Sequence, residues 1–383
     1  MSKRLKMGMV GGGIGAFIGE VHRMASRLDG KIELVAGAFS SNPEKSKKSG
    51  KALGLSPNRV YGNFAEMIEA EKNLPKGERI DFVSIVTPNH VHFEPAKAAI
   101  EAGFHVVCDK PVTFTLDEAK QLQKLVKKHK TVFALTHNYT GYPMVKEARA
   151  MVAKGDLGTI RRVVVEYPQG WLATRLEESG QKQASWRTDP SKSGKAGCMG
   201  DIGTHAENLA EYVTGLKIKR ICADLNTFVP GRKLDDDGAV LLDFEKGAKG
   251  ILFASQIATG EENNIRLRVY GEKGGLDWSQ MEPNTLTVRK LNKNIEIKRT
   301  GVGKLSKATQ AATRIPAGHP EGFIEAFANI YKNFADTVLA IQRRRQPNAI
   351  NLDFPTIEDG VRGMQFIDKV VESSKSKEKW TKF

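Results

Sequence analysis

The sequence predicts an α/β plus α+β protein, with an N-terminal doubly wound parallel sheet followed by a domain on a large, open, mainly antiparallel sheet. Strand-like and helix-like patterns alternate through the first 137 residues, which is typical of βαβ units. After about residue 140 the strand candidates become longer and are separated by short turns containing Gly or Asn, as in antiparallel hairpins. A chain of 383 residues also exceeds what one hydrophobic core usually serves. We therefore expect two domains, residues 1–137 and residues 138–383.

The N-terminal elements follow from apolar periodicity. The predicted strands are 6–12, 32–39, 82–87, 105–109 and 131–137, and the predicted helices are 18–28, 43–53, 63–72, 92–102 and 116–129. The clearest helix is "LDEAKQLQKLVKKHK", where apolar residues recur at 116, 119, 122, 125 and 126 at helical spacing.

The C-terminal elements begin with a helix-like segment that ends at Gly155, a residue type common just past helix ends. The predicted strands that follow are 160–172, 220–229, 238–245, 247–258, 264–272, 274–280 and 285–290. Helical patterns return at 319–343 and 357–374, and residues 301–318 are predicted to form a polar loop.

Composition excludes several classes of protein. The net charge is +15, from 59 basic and 44 acidic residues, but the basic residues are dispersed and no nucleic-acid-binding motif accompanies them. We expect no nucleic-acid partner, and a positive field that gathers anionic ligands is the better use of the charge. Three cysteines without metal-type spacing favour a reducing compartment and no metal site. The absence of a signal-peptide pattern and of a long apolar run predicts a cytoplasmic protein without membrane contact.

A glycine-rich turn follows the first predicted strand and opens the first helix. The segment "MVGGGIGAFIGEVHRMA" contains G-x-G-x-x-A at Gly11, Gly13 and Ala16. In such a turn the first glycine permits the bend, the second lets the backbone approach a pyrophosphate, and the third small residue allows close helix packing. The first amides of the helix then bind the phosphates. The pattern predicts a Rossmann dinucleotide site, with Ile14 as a further contact in the loop.

The end of the second predicted strand indicates which dinucleotide is bound. An acid there would hold the ribose of NAD, whereas small polar and basic residues accommodate the 2′-phosphate of NADP. Here Ser40 and Ser41 occupy that position and Lys45 follows. The cofactor is therefore predicted to be NAD or NADP, with a lean towards NADP; the neighbouring Glu44 keeps NAD open.

Lys110 lies just behind the fourth predicted strand, in "CDKPV". Proline ends a strand, and a lone lysine at such a corner is usually solvated surface. Its context changes that interpretation, since the chain also contains T-P-N-x-x-H (Thr87, Pro88, Asn89, His92), A-G-x-H-V (102–106) and D-K-P (109–111). Together with "GDIGTHAENLAEYVTG" and "RVYGEKGGLDW", these segments resemble the glucose–fructose oxidoreductase / inositol dehydrogenase / rhizopine catabolism (Gfo/Idh/MocA) family across nearly the whole chain.

The resemblance implies an NAD(P)-dependent oxidoreductase of sugars and cyclitols. It implies that Lys110 exchanges a proton with the reacting hydroxyl or carbonyl, which is sound for a cation near a bound cofactor. The family usually reads E-K-P, and Asp109 shortens that carboxylate by one methylene without changing its charge. By the same resemblance the dinucleotide-contacting set comprises Thr87, Pro88, Asn89, His92, Asp109 and Lys110, in addition to the glycine turn and the residues after the second strand.

A second constellation, D-x-G-x-H, contains Asp201 and His205. They share a helix face if the helix begins at or before Asp201; alternatively Thr204 is an N-cap with Glu207 in a capping box. Either arrangement is expected to put His205 in the first helical turn. The resemblance assigns Asp201 and His205 as substrate-binding, proton-handling partners of Lys110. Asn208 replaces an aspartate that many family members carry.

Weaker substrate-binding candidates come from segments rich in aromatic and hydrogen-bonding side chains, which commonly hold sugars. They are His137, Tyr142, Tyr167, Trp171, Trp186 and Arg187. The resemblance also implies a homodimer or homotetramer. Two other functions stay open from the sequence: a redox-neutral NAD-dependent glycoside hydrolase, and a non-catalytic nucleotide or sugar sensor.

Overall fold

The computed structural model describes residues 3–383, which form two compact units. Unit 1 contains residues up to Asn138 together with Phe327–Val361, and unit 2 contains Tyr139–Ala326 together with Arg362–Phe383. The sequence predicted one boundary, between residues 137 and 138. In the structure, residues 327–361 also pack with unit 1, although they are distant from its other residues in sequence.

Unit 1 is built on a five-stranded parallel sheet. Its strands are β1 (Leu5–Gly11), β2 (Ile32–Ala38), β3 (Phe82–Val86), β4 (His105–Cys108) and β5 (Phe133–Leu135). The order is β2-β1-β3-β4-β5, so the chain reverses its direction of winding between β1 and β3. The carboxyl ends of strands on either side of such a reversal border a crevice where ligands bind in open α/β sheets.

Amphipathic helices connect these strands. They are α1 (Phe17–Leu28), α2 (Pro43–Ala52), α3 (Phe64–Asn73), α4 (Phe93–Glu101) and α5 (Leu116–His129). The sequence explains their starts: Asn42 and Asn63 cap α2 and α3, and Thr115 forms a capping box with Glu118 at α5. Side-chain oxygens at these positions bond to amides that have no partner within the helix.

Unit 2 contains a nine-stranded sheet in the order β13-β12-β11-β10-β6-β9-β8-β7-β14. Its strands are β6 (Ile160–Pro168), β7 (Ile218–Asn226), β8 (Asp237–Phe244), β9 (Lys249–Ser255), β10 (Arg266–Gly271), β11 (Gly274–Ser279), β12 (Thr285–Lys290), β13 (Glu296–Arg299) and β14 (Thr381–Lys382). Within the described residues, only β6 and β9 pair in parallel; the other neighbours are antiparallel.

The remaining helices lie in the C-terminal part of the sequence. They are α6 (Pro143–Ala153), α7 (Lys182–Arg187), α8 (Pro190–Ser193), α9 (Thr204–Thr214), α10 (Lys307–Ala312), α11 (Phe323–Gln342) and α12 (Ile357–Lys375). None of the helices within residues 3–383 is long and apolar enough to cross a membrane.

The predicted fold class is confirmed: a parallel Rossmann sheet precedes a mixed, mainly antiparallel nine-stranded sheet. Two short edge strands, β13 and β14, were not predicted, since "EIKR" and "TK" show no apolar alternation. The segment predicted as the loop 301–318 contains the helix α10, which Ser306 caps by accepting a hydrogen bond from the Thr309 amide.

His105, at the start of β4, gives the fold a dependence on pH. Its Nδ1 accepts a hydrogen bond from the Val132 amide at 3.0 Å, and burial lowers its pKa from 6.5 to about 4, against the opposing charge of Asp81. Protonation would put a second donor in front of that amide. Because the pKa is lowered in the folded state, the stabilisation is present above pH 6.5 and is lost as pH falls towards 4.

We expect the free energy of unfolding to fall below pH 6.5 by up to about 1.4 kcal/mol per pH unit for each such histidine. In the variant His105→Asn, Oδ1 can replace Nδ1 as acceptor without titrating. The slope of the free energy of unfolding against pH should therefore decrease by the contribution of one histidine. Urea unfolding of both proteins from about pH 7 to pH 4.5 measures the slopes. Equal slopes in the two proteins would contradict the prediction.

Candidate active site

The glycine turn after β1 is held by close backbone contacts. Gly11 has a φ of +82°, and a Cβ there would lie 2.7 Å from Thr87 Cγ2. A Cβ on Gly13 would lie 2.7 Å from Ser49 Oγ and 2.9 Å from the Phe39 carbonyl oxygen. Side chains at these two positions are therefore excluded sterically, which explains the G-x-G part of the motif.

The close contact between the turn and α1 is made by Gly12 and Gly19. A Cβ on Gly19 would lie 2.3 Å from Gly12 Cα, and Gly12 has a φ of +70°. Ala16, to which the motif assigned the packing role, is instead the residue that precedes α1. Neither Gly12 nor Gly19 was singled out from the sequence, although both are visible there as glycines within or beside the motif.

The turn fits a dinucleotide pyrophosphate. Ala16 has no side-chain oxygen with which to cap the first amides of α1, and Gly15 faces open space at a φ of +80°. Ile14 and Phe17 beside it are 71% and 69% exposed, as expected of apolar side chains that a flat ligand can cover. Thr87 Oγ1, at the end of β3, is buried without a hydrogen-bond partner among residues 3–383. These features match a Rossmann cofactor site.

The segment after β2 forms a short polar turn. Ser40 Oγ accepts a hydrogen bond from the Asn42 amide at 3.1 Å, and Asn42 Oδ1 accepts one from the Lys45 amide at 2.9 Å. Ser41 and Lys45 are exposed. These side chains follow β2 directly, at the position where NAD-specific sites carry an acid.

Lys110 follows β4 at the carboxyl edge of the sheet, where it is half-buried. Asp109 Oδ1 accepts hydrogen bonds from the Lys110 amide and from Thr136 Oγ1, both at 2.8 Å. His137 is buried nearby: burial and then the Lys110 charge lower its pKa to about 3. His137 is therefore a neutral ring beside a cation, and Asp109 ties the ends of β4 and β5 together.

His92 joins the same strand ends from the other side. Its ring nitrogens contact the carbonyl oxygens of Thr87 at 2.7 Å and Pro111 at 2.9 Å. Burial lowers the pKa of His92, while Asp109 opposes the shift. Pro88 and Asn89 lie in the chain between Thr87 and His92, at the start of a single 3-10 turn. Unit 1 thus brings together the predicted residues of T-P-N-x-x-H and D-K-P.

In unit 2, helical backbone begins before the D-x-G-x-H motif. A π-helical turn, Met199–Gly203, runs directly into α9. The half-buried Asp235 carboxylate accepts hydrogen bonds from the amides of Gly197 and Met199, both at 2.7 Å. This acceptor from a distant loop caps the helical start.

The capping-box alternative at Thr204 is therefore wrong. Thr204 has helical backbone angles, and its Oγ1 donates to the Gly200 carbonyl at 3.0 Å. His205 consequently lies beyond the first helical turn, not within it. The local sequence suggested a start at Thr204 because the true cap, Asp235, is remote in sequence.

Asp201 is held by two donors. Its Oδ2 accepts hydrogen bonds from Arg187 Nε and Gln256 Nε2, both at 2.9 Å. The Arg187 guanidinium also lies 4.2 Å from the Trp186 ring centroid and 5.9 Å from that of Trp171. Unit 2 therefore gathers three of the predicted residues, Trp171, Trp186 and Arg187, around the carboxylate of a fourth, Asp201; Gln256 was not predicted.

His205 lies against two aromatic rings. Its ring centroid is 4.9 Å from that of Tyr139 and 6.2 Å from that of Tyr167. Burial raises the pKa of Tyr139 to about 12 and that of Tyr167 well above its usual value, so both hydroxyls stay protonated at neutral pH. Tyr142, another predicted substrate contact, is 1% exposed and packs on Trp278.

Asn208 lies one turn beyond His205 on α9. It is 6% exposed, and its Oδ1 has no hydrogen-bond partner among the described residues. An amide oxygen buried in this way is suited to accept from a ligand hydroxyl. No cluster of three or more potential metal ligands is found within residues 3–383.

Two family models match the chain. The model of the NAD-binding Rossmann fold of an oxidoreductase family matches residues 5–139, and that of the GFO/IDH/MocA C-terminal domain matches residues 145–277. These ranges cover both the glycine turn with D-K-P and the helix with D-x-G-x-H.

Several solved structures and curated proteins are similar over long stretches. An oxidoreductase from Sinorhizobium meliloti is 47% identical, with a TM-score of 0.89 over 99% of this chain and 100% of the other. An inositol dehydrogenase homologue from Azotobacter vinelandii, in complex with NAD+, is 35% identical with a TM-score of 0.94 over 100% and 98% of the two chains. A structure of an inositol dehydrogenase homologue from the same organism, with NADH and myo-inositol, is 34% identical with a TM-score of 0.91. A levoglucosan dehydrogenase from Pseudarthrobacter phenanthrenivorans is 28% identical over 75% of this chain and 76% of its own.

The glycine turn, the strand-end lysine and the helix with Asp201 and His205 thus fall within family-matched segments that span most of the sequence. The chain belongs to the GFO/IDH/MocA family of oxidoreductases, with an N-terminal NAD-binding Rossmann fold.

Proposed function

We propose that this protein transfers hydride between a nicotinamide cofactor and a secondary hydroxyl, or the matching ketone, of a sugar, sugar derivative or cyclitol. The observation that carries the proposal is the placement of Lys110 at the carboxyl edge of β4, two strands from the reversal at β1. Relatives solved with NADH bind myo-inositol and levoglucosan, which supports a polyhydroxylated substrate.

Lys110 is the proposed proton-transfer residue. In the oxidation direction its neutral amine accepts the hydroxyl proton; in reduction its ammonium donates a proton to the carbonyl oxygen. When bound, the nicotinamide supplies or accepts the hydride. The Lys110 charge also stabilises the alkoxide that develops during the transfer, and Asp109 holds the Lys110 backbone in place.

Asp201, His205 and Asn208 are the proposed substrate-binding set. Arg187 and Gln256 hold one oxygen of the Asp201 carboxylate, which fixes the plane in which its second oxygen lies. His205 acts as a hydrogen-bond partner to the reacting hydroxyl, and Trp171 and Trp186 supply flat apolar faces for the C–H groups of a sugar ring. The proposed partners include a second copy of the chain, as homodimer or homotetramer.

A substrate screen tests this function. The purified protein is incubated with panels of sugars, cyclitols and glycosides, with NAD+ and NADP+ supplied separately, and nicotinamide absorbance is followed. We expect turnover of at least one sugar or cyclitol. Release of an aglycone without a net absorbance change would favour the glycoside hydrolase instead, and no response in any panel would favour the sensor.

The lean towards NADP rests on Ser40, Ser41 and Lys45 alone, whereas the solved relatives described above contain NAD+ or NADH. If NADP is bound, Lys45 pairs with the 2′-phosphate. Replacing Lys45 by alanine should then raise the KM for NADP+ by about tenfold, the loss of one charge-assisted hydrogen bond, and leave the KM for NAD+ unchanged.

The exposed Lys47, on the same helix, provides a control in the variant Lys47→Ala. Steady-state kinetics with each cofactor measures both effects. An equal change for the two cofactors in Lys45→Ala, or no change, would contradict a role in phosphate recognition.

A further inference from the structure

A hydrogen-bond circuit of Tyr139, Tyr167 and Asn263 lies against the ring of His205. The two tyrosine hydroxyls are hydrogen-bonded to each other. Tyr167 donates to Asn263 Oδ1 at 2.8 Å, and Asn263 Nδ2 contacts the Tyr139 hydroxyl at 3.4 Å. The three side chains come from segments more than 20 residues apart in sequence, so no local pattern reveals them.

The chemistry of the three groups fixes the direction of each bond. The Tyr167 proton goes to Asn263, so the proton shared by the hydroxyls must come from Tyr139. The Tyr139 oxygen then accepts from Asn263 Nδ2, since an amide nitrogen can only donate. The circuit closes, and Asn263 is the member that both donates and accepts with different atoms.

Asn263 is itself held from the outside. Gln169 Nε2 donates to Asn263 Oδ1 at 2.5 Å, and Trp171 Nε1 donates to Gln169 Oε1 at 2.9 Å. The Trp171 ring lies beside the Arg187 guanidinium, which is bonded to Asp201. A continuous set of contacts therefore connects the two ends of D-x-G-x-H through Asn263.

The ring packing gives this circuit a consequence for His205. The Tyr139 and His205 rings meet edge to face, at 80° with centroids 4.9 Å apart. Rotation of Tyr139 about its side-chain bonds would change that contact, and the hydrogen bonds of its hydroxyl restrain this rotation together with the packing of the ring on Tyr142 and Phe323. Both tyrosines are 3% exposed, so water has little access to replace a lost bond.

We propose that Asn263 is a positioning residue, which orients the imidazole of His205 through the Tyr139–Tyr167 pair. The expected effect on kcat rests on the proposed function. The expected effect on the orientation of the His205 ring does not. Asn263 acts through the two tyrosines and takes no part in the proton transfer itself.

The variant Asn263→Asp tests this assignment with an isosteric side chain. It removes the only N–H donor of the circuit, so the Tyr139 oxygen faces a carboxylate oxygen in place of the Asn263 N–H and the closed circuit is broken. The matched control is Asn264→Asp, which adds the same charge one residue away, where the side chain accepts from Ser279 at 2.7 Å. Tyr167→Phe is a second variant, which opens the circuit without adding charge.

Two readouts are measured on each folded variant, with folding checked by thermal unfolding. In NMR titrations, the His205 ring resonance, assigned by its loss in His205→Gln, is expected to shift in Asn263→Asp and Tyr167→Phe and to stay unchanged in Asn264→Asp. For the substrate found in the screen, kcat should fall about 10–100-fold, as for a small displacement of a catalytic group, with KM little changed.

An unchanged His205 resonance in both circuit variants would overturn the proposal, as would equal kcat values for Asn263→Asp and Asn264→Asp. If the wild-type protein turns over no sugar or cyclitol, the proposed function fails while the resonance titration still decides the role of Asn263. The two failures are therefore distinguishable.

Discussion

Replacing Lys110 by methionine is expected to lower kcat by about 10²–10⁴-fold, the usual contribution of a positioned general acid or base. Methionine retains most of the apolar stem but carries neither a proton nor a charge. Cofactor binding should change less than kcat, because Lys110 is one of several predicted cofactor contacts and the glycine turn is expected to supply the phosphate contacts. The measurement is steady-state kinetics on the substrate from the screen, together with a binding titration of the reduced cofactor by fluorescence.

Two further variants sharpen this experiment. Lys110→Arg keeps the positive charge but cannot release its proton near neutral pH, so any activity it retains reports charge stabilisation alone. Lys97→Met, at a half-buried lysine of α4, is the control for losing a lysine from unit 1. Full turnover in Lys110→Met would show that another group moves the proton.

Replacing Gly19 by alanine is expected to destabilise unit 1 and to weaken cofactor binding together. The new Cβ would lie 2.3 Å from Gly12 Cα and 2.6 Å from the Gly12 carbonyl oxygen, which are backbone atoms that cannot rotate away. Overpacking of this kind costs about 1–3 kcal/mol. Moving the turn also misplaces the amides that face the phosphates, and losing one such charged hydrogen bond corresponds to about 10–100-fold weaker binding.

Urea unfolding and a cofactor titration measure the two effects. Gly363→Ala in α12 is the matched control, because a Cβ there would lie 4.0 Å from Thr204 Cγ2, an ordinary contact. Removing a helical glycine should stabilise the protein by about 0.5–1 kcal/mol. If Gly19→Ala were as stable as Gly363→Ala and bound the cofactor as tightly, the close contact between Gly12 and Gly19 would not be what excludes a side chain at residue 19.

Periodicity was sufficient to predict the parallel sheet of unit 1 and its connecting helices, because each of these elements is encoded locally. Strands such as β3, with five buried residues in succession, and helices such as α5, with its own capping box, contain their signals within a few residues. The glycine turn is equally local, since Gly11 and Gly13 are excluded from carrying side chains by their immediate surroundings.

The parts that were missed depend on residues far apart in sequence. The helical start before Asp201 is set by Asp235, which contacts Gly197 and Met199 from the loop before β8. Asn263 becomes informative only through Tyr139, Tyr167 and Gln169, each more than 90 residues away. No window of sequence contains both members of such a pair, so local reasoning cannot rank these residues above their neighbours.

The parallel pair in the unit 2 sheet has a consequence for folding. Before β9 can pair with β6, the chain must close a loop over residues 169–248, which includes Arg187, Asp201 and His205. Closing so long a loop costs entropy before the pairing contributes, and non-local steps of this kind slow folding. The connection between β6 and β9 also contains most of the substrate-binding candidates. Assembly of that half of the site is therefore tied to a non-local event in the folding of the chain.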